Sequence, residues 1–402
     1  MRNVVFVDFA RTAFTLPGGS LRSFPSTALG IACLKGLLQK SSILEKGGEA
    51  VIDSVFGGSA FPDKCSTDSV RYITVGSGLP LGTESHWVEM QGGSGLAAIN
   101  HAAFQIALGY ADVAIAGGME SHSTRPAFLS TTDAPHCGKP PRWLPMRLSP
   151  SPEQDLSMVE VSECIAQKWS ISRSECDAFA LRSRQRLHTA CQTGLIGDEI
   201  ADIVIPATRK TPETVISRDE NYASDLTAKS LAAMDAFTPS GVVTSGNSTT
   251  PKDGAAFVLM MTAEKAAELD FIPYARWVTC ADAGVEPRYA GIGPVYSALK
   301  ALKHADLSMD SIDVWECNET CAAQNLAVLK ELENQTGSTV DQSRWNPNGG
   351  SIALGNPNAA SGVRLAMFAM KQLEKIGGKY ALLSCSCGGG QGVSAVIENL
   401  RR

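Results

Sequence analysis

Apolar residues follow two rhythms along this chain. Short unbroken runs read as buried strands: residues 4–9, with Asp8 the one polar interruption, then 53–56, 113–116, 254–261 and 380–384. Between them lie stretches whose apolar positions recur three and four apart: 27–39, 95–108, 160–169, 172–193 and a segment near 361–373. Strands alternating with helices predict an α/β protein with parallel, buried sheets. From Ser121 to about Leu156 the texture changes to Pro, Ser and Thr, which reads as an inserted loop region.

The pattern also echoes itself. Gly92-Gly93-Ser94 opens a helical stretch, followed by the 113–116 strand and Gly117-Gly118. Gly349-Gly350-Ser351 precedes another helical stretch, the 380–384 strand and Gly388-Gly389-Gly390. The spacing is too long for a solenoid. Two similar halves, each with its own sheet, account for it better.

Composition narrows the function classes. Lys and Arg total 35 against 41 Asp and Glu, so the net charge of −6 argues against a binder of nucleic-acid backbones. Charged residues are only 19% and hydrophobics 44%, which excludes a largely disordered chain. No run approaches the roughly 18 apolar residues of a membrane span. The first apolar run is too short for a signal segment. Eleven cysteines, an odd number scattered over 402 residues, read as reduced thiols of a cytoplasmic protein.

Eight motifs in order then carry a family resemblance. They are Asp8-Phe9-Ala10-Arg11-Thr12, Gly93-Ser94-Gly95-Leu96, Ala116-Gly117-Gly118-Met119-Glu120-Ser121, Gly246-Asn247 with Asp253-Gly254-Ala255-Ala256, Gly291-Ile292-Gly293-Pro294-Val295, Asn318-Glu319, Asn348-Gly349-Gly350 with Ala353-Leu354-Gly355, and Gly388-Gly389-Gly390-Gln391-Gly392. The chain resembles the thiolases, which make or break carbon–carbon bonds between acyl-CoA thioesters. The resemblance implies a duplicated five-layer α/β/α/β/α fold with an inserted loop domain. It places an N-terminal half at 1–120 and 249–272, a loop domain at 121–248 and a C-terminal half at 273–402. It also implies a homodimer or heteromer, the strand near Val113 resembling an interface element.

The same resemblance locates the chemistry. The family needs a thiolate at a helix N-terminus, a histidine that activates it and a second cysteine as acid and base. Matched one position at a time, the nucleophile falls on Gly92, the histidine on Asn356 and the second cysteine on Ser386. Gly92 cannot form an acyl-enzyme, and Asn356 accepts no proton near neutral pH. A serine hydroxyl at 386 is too weak an acid to replace a thiol without an activating base. Asn318 and the backbone of Gly92 and Gly388 remain as oxyanion-site candidates.

Substitutes for the nucleophile are few. Ser94 reads as an N-cap. Gln91 stands one position from the place a decarboxylase would need it. Cys385 and Cys387 flank Ser386 and point to the opposite face of an extended segment. Cys317, Cys321, Cys385 and Cys387 lack the usual zinc-knuckle spacing, so no metal site is expected. His122 reads as a loop histidine. For the CoA moiety the resemblance suggests Met158, Phe237, Ser245 and Thr249, with Arg218 and Lys229 as candidates for nucleotide phosphates. CoA or an acyl-CoA is expected as ligand, with no tightly bound cofactor. The expected function is an acyl-CoA-binding or partner subunit without Claisen chemistry. The alternative is an active thiolase or acyltransferase with a rewired site.

Overall fold

The computed structural model describes residues 1–130, 142–209, 211–220 and 226–402. Parts of the expected loop domain, at 131–141, 210 and 221–225, therefore lie outside the described residues. Nine strands form the main sheet: β1 (Val4–Arg11), β2 (Ser54–Gly58), β3 (Glu84–Val88), β4 (Val113–Glu120), β5 (Gly254–Thr262), β6 (Ala275–Gly284), β7 (Val314–Cys317), β8 (Tyr380–Cys387) and β9 (Gln391–Asn399). Their spatial order is β7-β8-β9-β6-β1-β5-β4-β2-β3. The helices that matter here are α1 (Ser26–Ser41), α2 (Ser69–Gly76), α3 (Ser94–Leu108), α4 (Met158–Lys168), α5 (Arg173–Gln192), α6 (Gly293–Ala305), α7 (Ala322–Thr336) and α8 (Ala359–Ile376).

The echo in the sequence is a topological repeat. With the edge strand β3 set aside, each half orders its strands first, last, third, second: β1-β5-β4-β2 and β6-β9-β8-β7. The two sheets are not separate, as the sequence suggested. They join edge to edge through antiparallel pairing of Val4–Phe6 with Ala275–Trp277. Nor are they wholly parallel. Parallel pairs occur only outboard, in β2–β4, β2–β3 and β7–β8. The inner pairs run antiparallel, and among them β8 and β9 form a hairpin whose turn is Gly388-Gly389-Gly390, the last two with φ of +82° and +93°. Left-handed φ at two successive positions is a conformation that glycine adopts without a side-chain clash.

Three apolar clusters fill the layers. α1 and α2 cover one face of the N-terminal sheet, over Leu34, Leu37 and Ile73. α3 and α8 pack against each other between the two sheets. α6 and α7 cover the outer face of the C-terminal sheet, with α4 and α5 beyond them. Glycines permit the tight central crossing. A Cβ on Gly95 or Gly118 would fall well inside van der Waals contact with the carbonyl of Ala359, the first residue of α8.

One expectation about assembly fails on geometry. β4 is buried along its whole length between β5 and β2, so the strand near Val113 offers no free edge. The sheet's edge strands are β3 and β7, and the outer side of β7 is covered by the 344–346 segment, which bridges to Trp315. Among the described residues, no helix is long and apolar enough to cross a membrane.

Candidate active site

Four chain reversals meet at one cavity. Gln91–Gly93 form a 3-10 turn that runs straight into α3. Asn318 follows β7, Asn356 follows the short helical turn Ser351–Leu354, and Ser386 to Gly388 close β8. Gly92, Asn318, Asn356, Ser386 and Gly388 all line a cavity of about 510 Å³, together with Thr320 and Met158. The sequence thus brought together every residue matched to the family's reactive machinery. Phe61, Phe128, Trp143, Leu144, Met146 and Leu148 add an apolar wall, and among the described residues Arg125 and Arg147 are the cations on the lining.

Gly92 leaves open space. A Cβ built on it would meet only the carbonyl oxygen of Ser386, at 3.6 Å, an ordinary contact. Gln91 before it has φ of +49°, and both its backbone N–H and its Nε2 donate to Glu89 Oε1 at 2.8 Å. That side chain lies on the cavity lining with its amide nitrogen committed to Glu89. Ser94 is not the N-cap the sequence suggested; it is the first residue of α3. Its buried Oγ accepts from Met90 N–H at 2.8 Å and donates to the Gln91 carbonyl at 2.6 Å, bracing the turn.

Asn356 and Ser386 are both hydrogen-bonded. Asn356 Oδ1 accepts from Ser361 Oγ at 2.5 Å, and its backbone pairs with the loop at Thr250 and Lys252. Ser386 Oγ lies 3.2 Å from Thr320 Oγ1, a hydroxyl pair with no base. Cys387 reaches the cavity lining, but its thiol packs against Gly93 and Val393, and burial pushes its pKa up to about 12. Cys385 is fully buried and raised for the same reason. His122 stacks edge-on to Phe61 at 5.6 Å; burial and Arg125 pull its pKa down to about 4, and it does not line the cavity.

Asn318 is oriented by groups behind it. Its Oδ1 accepts from Ser351 Oγ at 2.6 Å and from Arg364 Nη2 at 3.4 Å. Arginine only donates, so the atom facing Arg364 is the oxygen, and the amide Nδ2 is the donor left for the cavity. Arg364 is fixed in turn by Glu316 at 3.3 Å, both fully buried. No sequence motif marked this support. Among the described residues the backbone N–H groups of Gly92 and Gly388 carry no hydrogen bond. The site thus combines three free N–H donors with hydroxyls and amides, a set suited to a carbonyl oxygen or oxyanion.

The residues suggested for the CoA moiety divide. Met158 lies in the cavity wall; Arg218, Lys229, Phe237, Ser245 and Thr249 do not. Thr249 Oγ1 already donates to the Ser351 carbonyl at 2.6 Å. Arg218, Lys229 and Phe237 are exposed.

Comparison with known proteins gives the family. The thiolase N-terminal domain model matches residues 4–264 and the thiolase C-terminal domain model residues 271–399. The chain belongs to the thiolase family. It is 36% identical over 409 residues to 3-oxoadipyl-CoA/3-oxo-5,6-dehydrosuberyl-CoA thiolase of Escherichia coli K12, with 100% of each chain covered. It is 35% identical to acetyl-CoA acetyltransferase of Allochromatium vinosum, with 99% of each covered. Among solved structures it is similar to Bacillus anthracis acetyl-CoA acetyltransferase, with a TM-score of 0.91 and 31% identity over 100% of this chain and 99% of that one. Human mitochondrial 3-ketoacyl-CoA thiolase gives 0.88 and 32%, with 99% of each covered.

Proposed function

We propose that this chain holds an acyl-CoA thioester in the 510 Å³ cavity without forming a covalent acyl-enzyme, as an acyl-CoA-binding or partner subunit of acyl-CoA metabolism. The observation that carries the reading is Gly92. The position at the mouth of α3, where the helix dipole would favour a thiolate, has no side chain at all. Thiolase-type transfer needs a nucleophile to displace CoA and a base to take a proton from the α-carbon. Among the described residues of the cavity wall, Asn356 is no base and Ser386 has none beside it. The three N–H donors, from Gly92, Gly388 and Asn318, would still bind the thioester carbonyl. Neither catalysis nor binding in this cavity calls for a tightly bound cofactor. A second copy or another subunit would pair along the open edge of β3, where Trp87 is 44% exposed.

The second reading, an active acyltransferase with a rewired site, is the one the relatives favour, since they are named as thiolases and acetyltransferases over the full chain length. It requires Ser386 or Thr320 as nucleophile. One experiment separates the two. Thermal shift with CoA, acetyl-CoA and a long-chain acyl-CoA is run beside thiolysis of acetoacetyl-CoA. A ligand at about 100 times its dissociation constant adds roughly 2.7 kcal/mol of stability. A raised midpoint with buffer-level thiolysis supports the first reading. Turnover lost in Ser386→Ala supports the second, and no shift with any ester together with buffer-level thiolysis removes both.

A further inference from the structure

A second cavity, of about 320 Å³, lies behind the Asn356 loop and shares no lining residue with the thioester cavity. Two of its lining residues are cations. Arg184, on α5, is 8% exposed, and Lys252, on the loop before β5, is 1% exposed. Among the described residues, no acidic side chain lines it.

Among the described residues, neither cation is in an ion pair. Arg184 Nη1 donates only to the Ala180 carbonyl of its own helix, at 3.3 Å, and its buried Nε has no partner. Lys252 Nζ donates only to the backbone carbonyl of Glu220. Its stem lies against Gly355, where any Cβ would collide with the Lys252 methylenes. The nearest carboxylates are committed elsewhere. Asp219 grips Arg11 at 2.6 and 2.9 Å. Glu220 binds the Leu16 N–H at 2.8 Å and Ser20. Glu319 accepts from Ser183 at 2.7 Å, Asn346 at 2.9 Å and the Ile352 N–H at 3.1 Å. Burying a charge without a partner is costly, and burial disfavours the charged form of both side chains. Two such cations facing one cavity call for an anion between them.

We infer that this cavity is a binding site for a phosphate group, held between Arg184 and Lys252 and separate from the thioester cavity. Arginine and lysine supply donors and positive charge only, the combination that recognises phosphate oxygens. Ser245 and Thr250 add hydroxyls at the mouth; among the described residues the hydrogen-bond partner of Ser245 Oγ is the weak acceptor Met234 Sδ at 3.8 Å. The site bears on the first cavity through the backbone. Lys252 N–H donates to the Asn356 carbonyl at 3.2 Å, and Asn356 N–H donates to the Thr250 carbonyl at 2.9 Å.

Inorganic phosphate and the 3′-phosphate of a CoA molecule offer the same chemistry. The test uses the purified full chain, dialysed free of phosphate. Its melting midpoint is followed against sodium phosphate and against sodium chloride at equal ionic strength, then against CoA and dephospho-CoA. The expected result is a saturable rise of a few degrees with phosphate that chloride does not reproduce. Arg184→Met and Lys252→Met, each checked for a native circular dichroism spectrum, should abolish it. If either variant fails to fold, Arg184→Lys replaces it and should weaken the response at least tenfold. Phosphate that suppresses the CoA shift but leaves the dephospho-CoA shift untouched identifies the coenzyme as the source. Additive shifts identify free phosphate. A wild-type midpoint that moves equally with chloride, or folded variants that respond like wild type, overturns the assignment. A failure to bind acyl-CoA in the first cavity leaves the phosphate shift of the wild type intact, so the two proposals fail separately.

Discussion

Placing a thiol at position 92 should give a reactive cysteine and no enzyme. In Gly92→Cys the new Cβ meets one atom, Ser386 O at 3.6 Å, so the variant fits without rearrangement. The side chain would sit in the turn that leads into α3, lining the cavity. An ordinary cysteine has a pKa of about 8.5, and a helix N-terminus lowers it further. At pH 8 roughly a quarter or more of such a thiol is thiolate. Cys387, the thiol already on the lining, is pushed up to about 12 by burial. At the same pH only about one part in 10⁴ of it is ionised. Iodoacetamide should therefore modify position 92 on the order of 10³ times faster than Cys387, read by peptide mass spectrometry of a time course. Acetoacetyl-CoA thiolysis by the same variant should stay at the buffer level, because Asn356 takes no proton from the thiol and Ser386 does not return one to the α-carbon. Two results would refute this. Equal labelling at the two positions would mean that position 92 is not open. Thiolysis well above background would mean that the amide at 356 is no obstacle.

Three further outcomes follow from the packing and the charges. Gly95→Ala forces a methyl into the Ala359 carbonyl where α3 crosses α8, and should destabilise the fold by about 3 kcal/mol in urea unfolding; a change within about 0.5 kcal/mol would contradict the close crossing. Burial raises Glu316 to about 8 despite Arg364, so its contribution to stability is complete below the unfolded pKa of about 4.5 and is lost as pH rises through about 8. Glu316→Gln should accordingly gain stability relative to wild type between about pH 5 and pH 9, where parallel curves would count against the raised pKa. Asn318→Ala removes the amide donor aimed at the cavity and should weaken acyl-CoA binding about tenfold while leaving free CoA unchanged, as calorimetry can separate.

Much of this was legible in the chain, and the gaps have physical causes. The helices expected at 27–39 and 172–193 are α1 and α5; the latter begins where Ser172 and Glu175 form a reciprocal cap, a pattern visible in sequence. The strand expected at 113–116 runs on to Glu120, because Gly117 and Gly118 lie where Phe257 and Ala359 leave no room for side chains. Glycine there marks close packing and would be misread as a strand end. Sheet direction was missed because apolar runs look alike in parallel and antiparallel strands. The triple glycine between two such runs was the available hairpin signal. The cavity-facing residues were found by motif order, which fixes backbone turns well. Arg184 and Lys252 were not found, since a charged residue on a helix or loop reads as solvated until the fold shows it buried. The open position of Gly92 likewise needed three dimensions, because its neighbours come from β8, almost three hundred residues away.

The account stands most directly on whether an acyl group ever becomes bonded to the protein. Intact-mass spectrometry of the wild-type chain, after incubation with saturating acetyl-CoA and a longer acyl-CoA, reads this without assuming a substrate. With no side chain at Gly92 and the lining thiol of Cys387 un-ionised, the account predicts the mass of the unmodified chain at every time point, in samples whose raised melting midpoint shows the ester bound. A stable increment of one acyl group that disappears in Ser386→Ala would contradict it and establish a rewired acyltransferase.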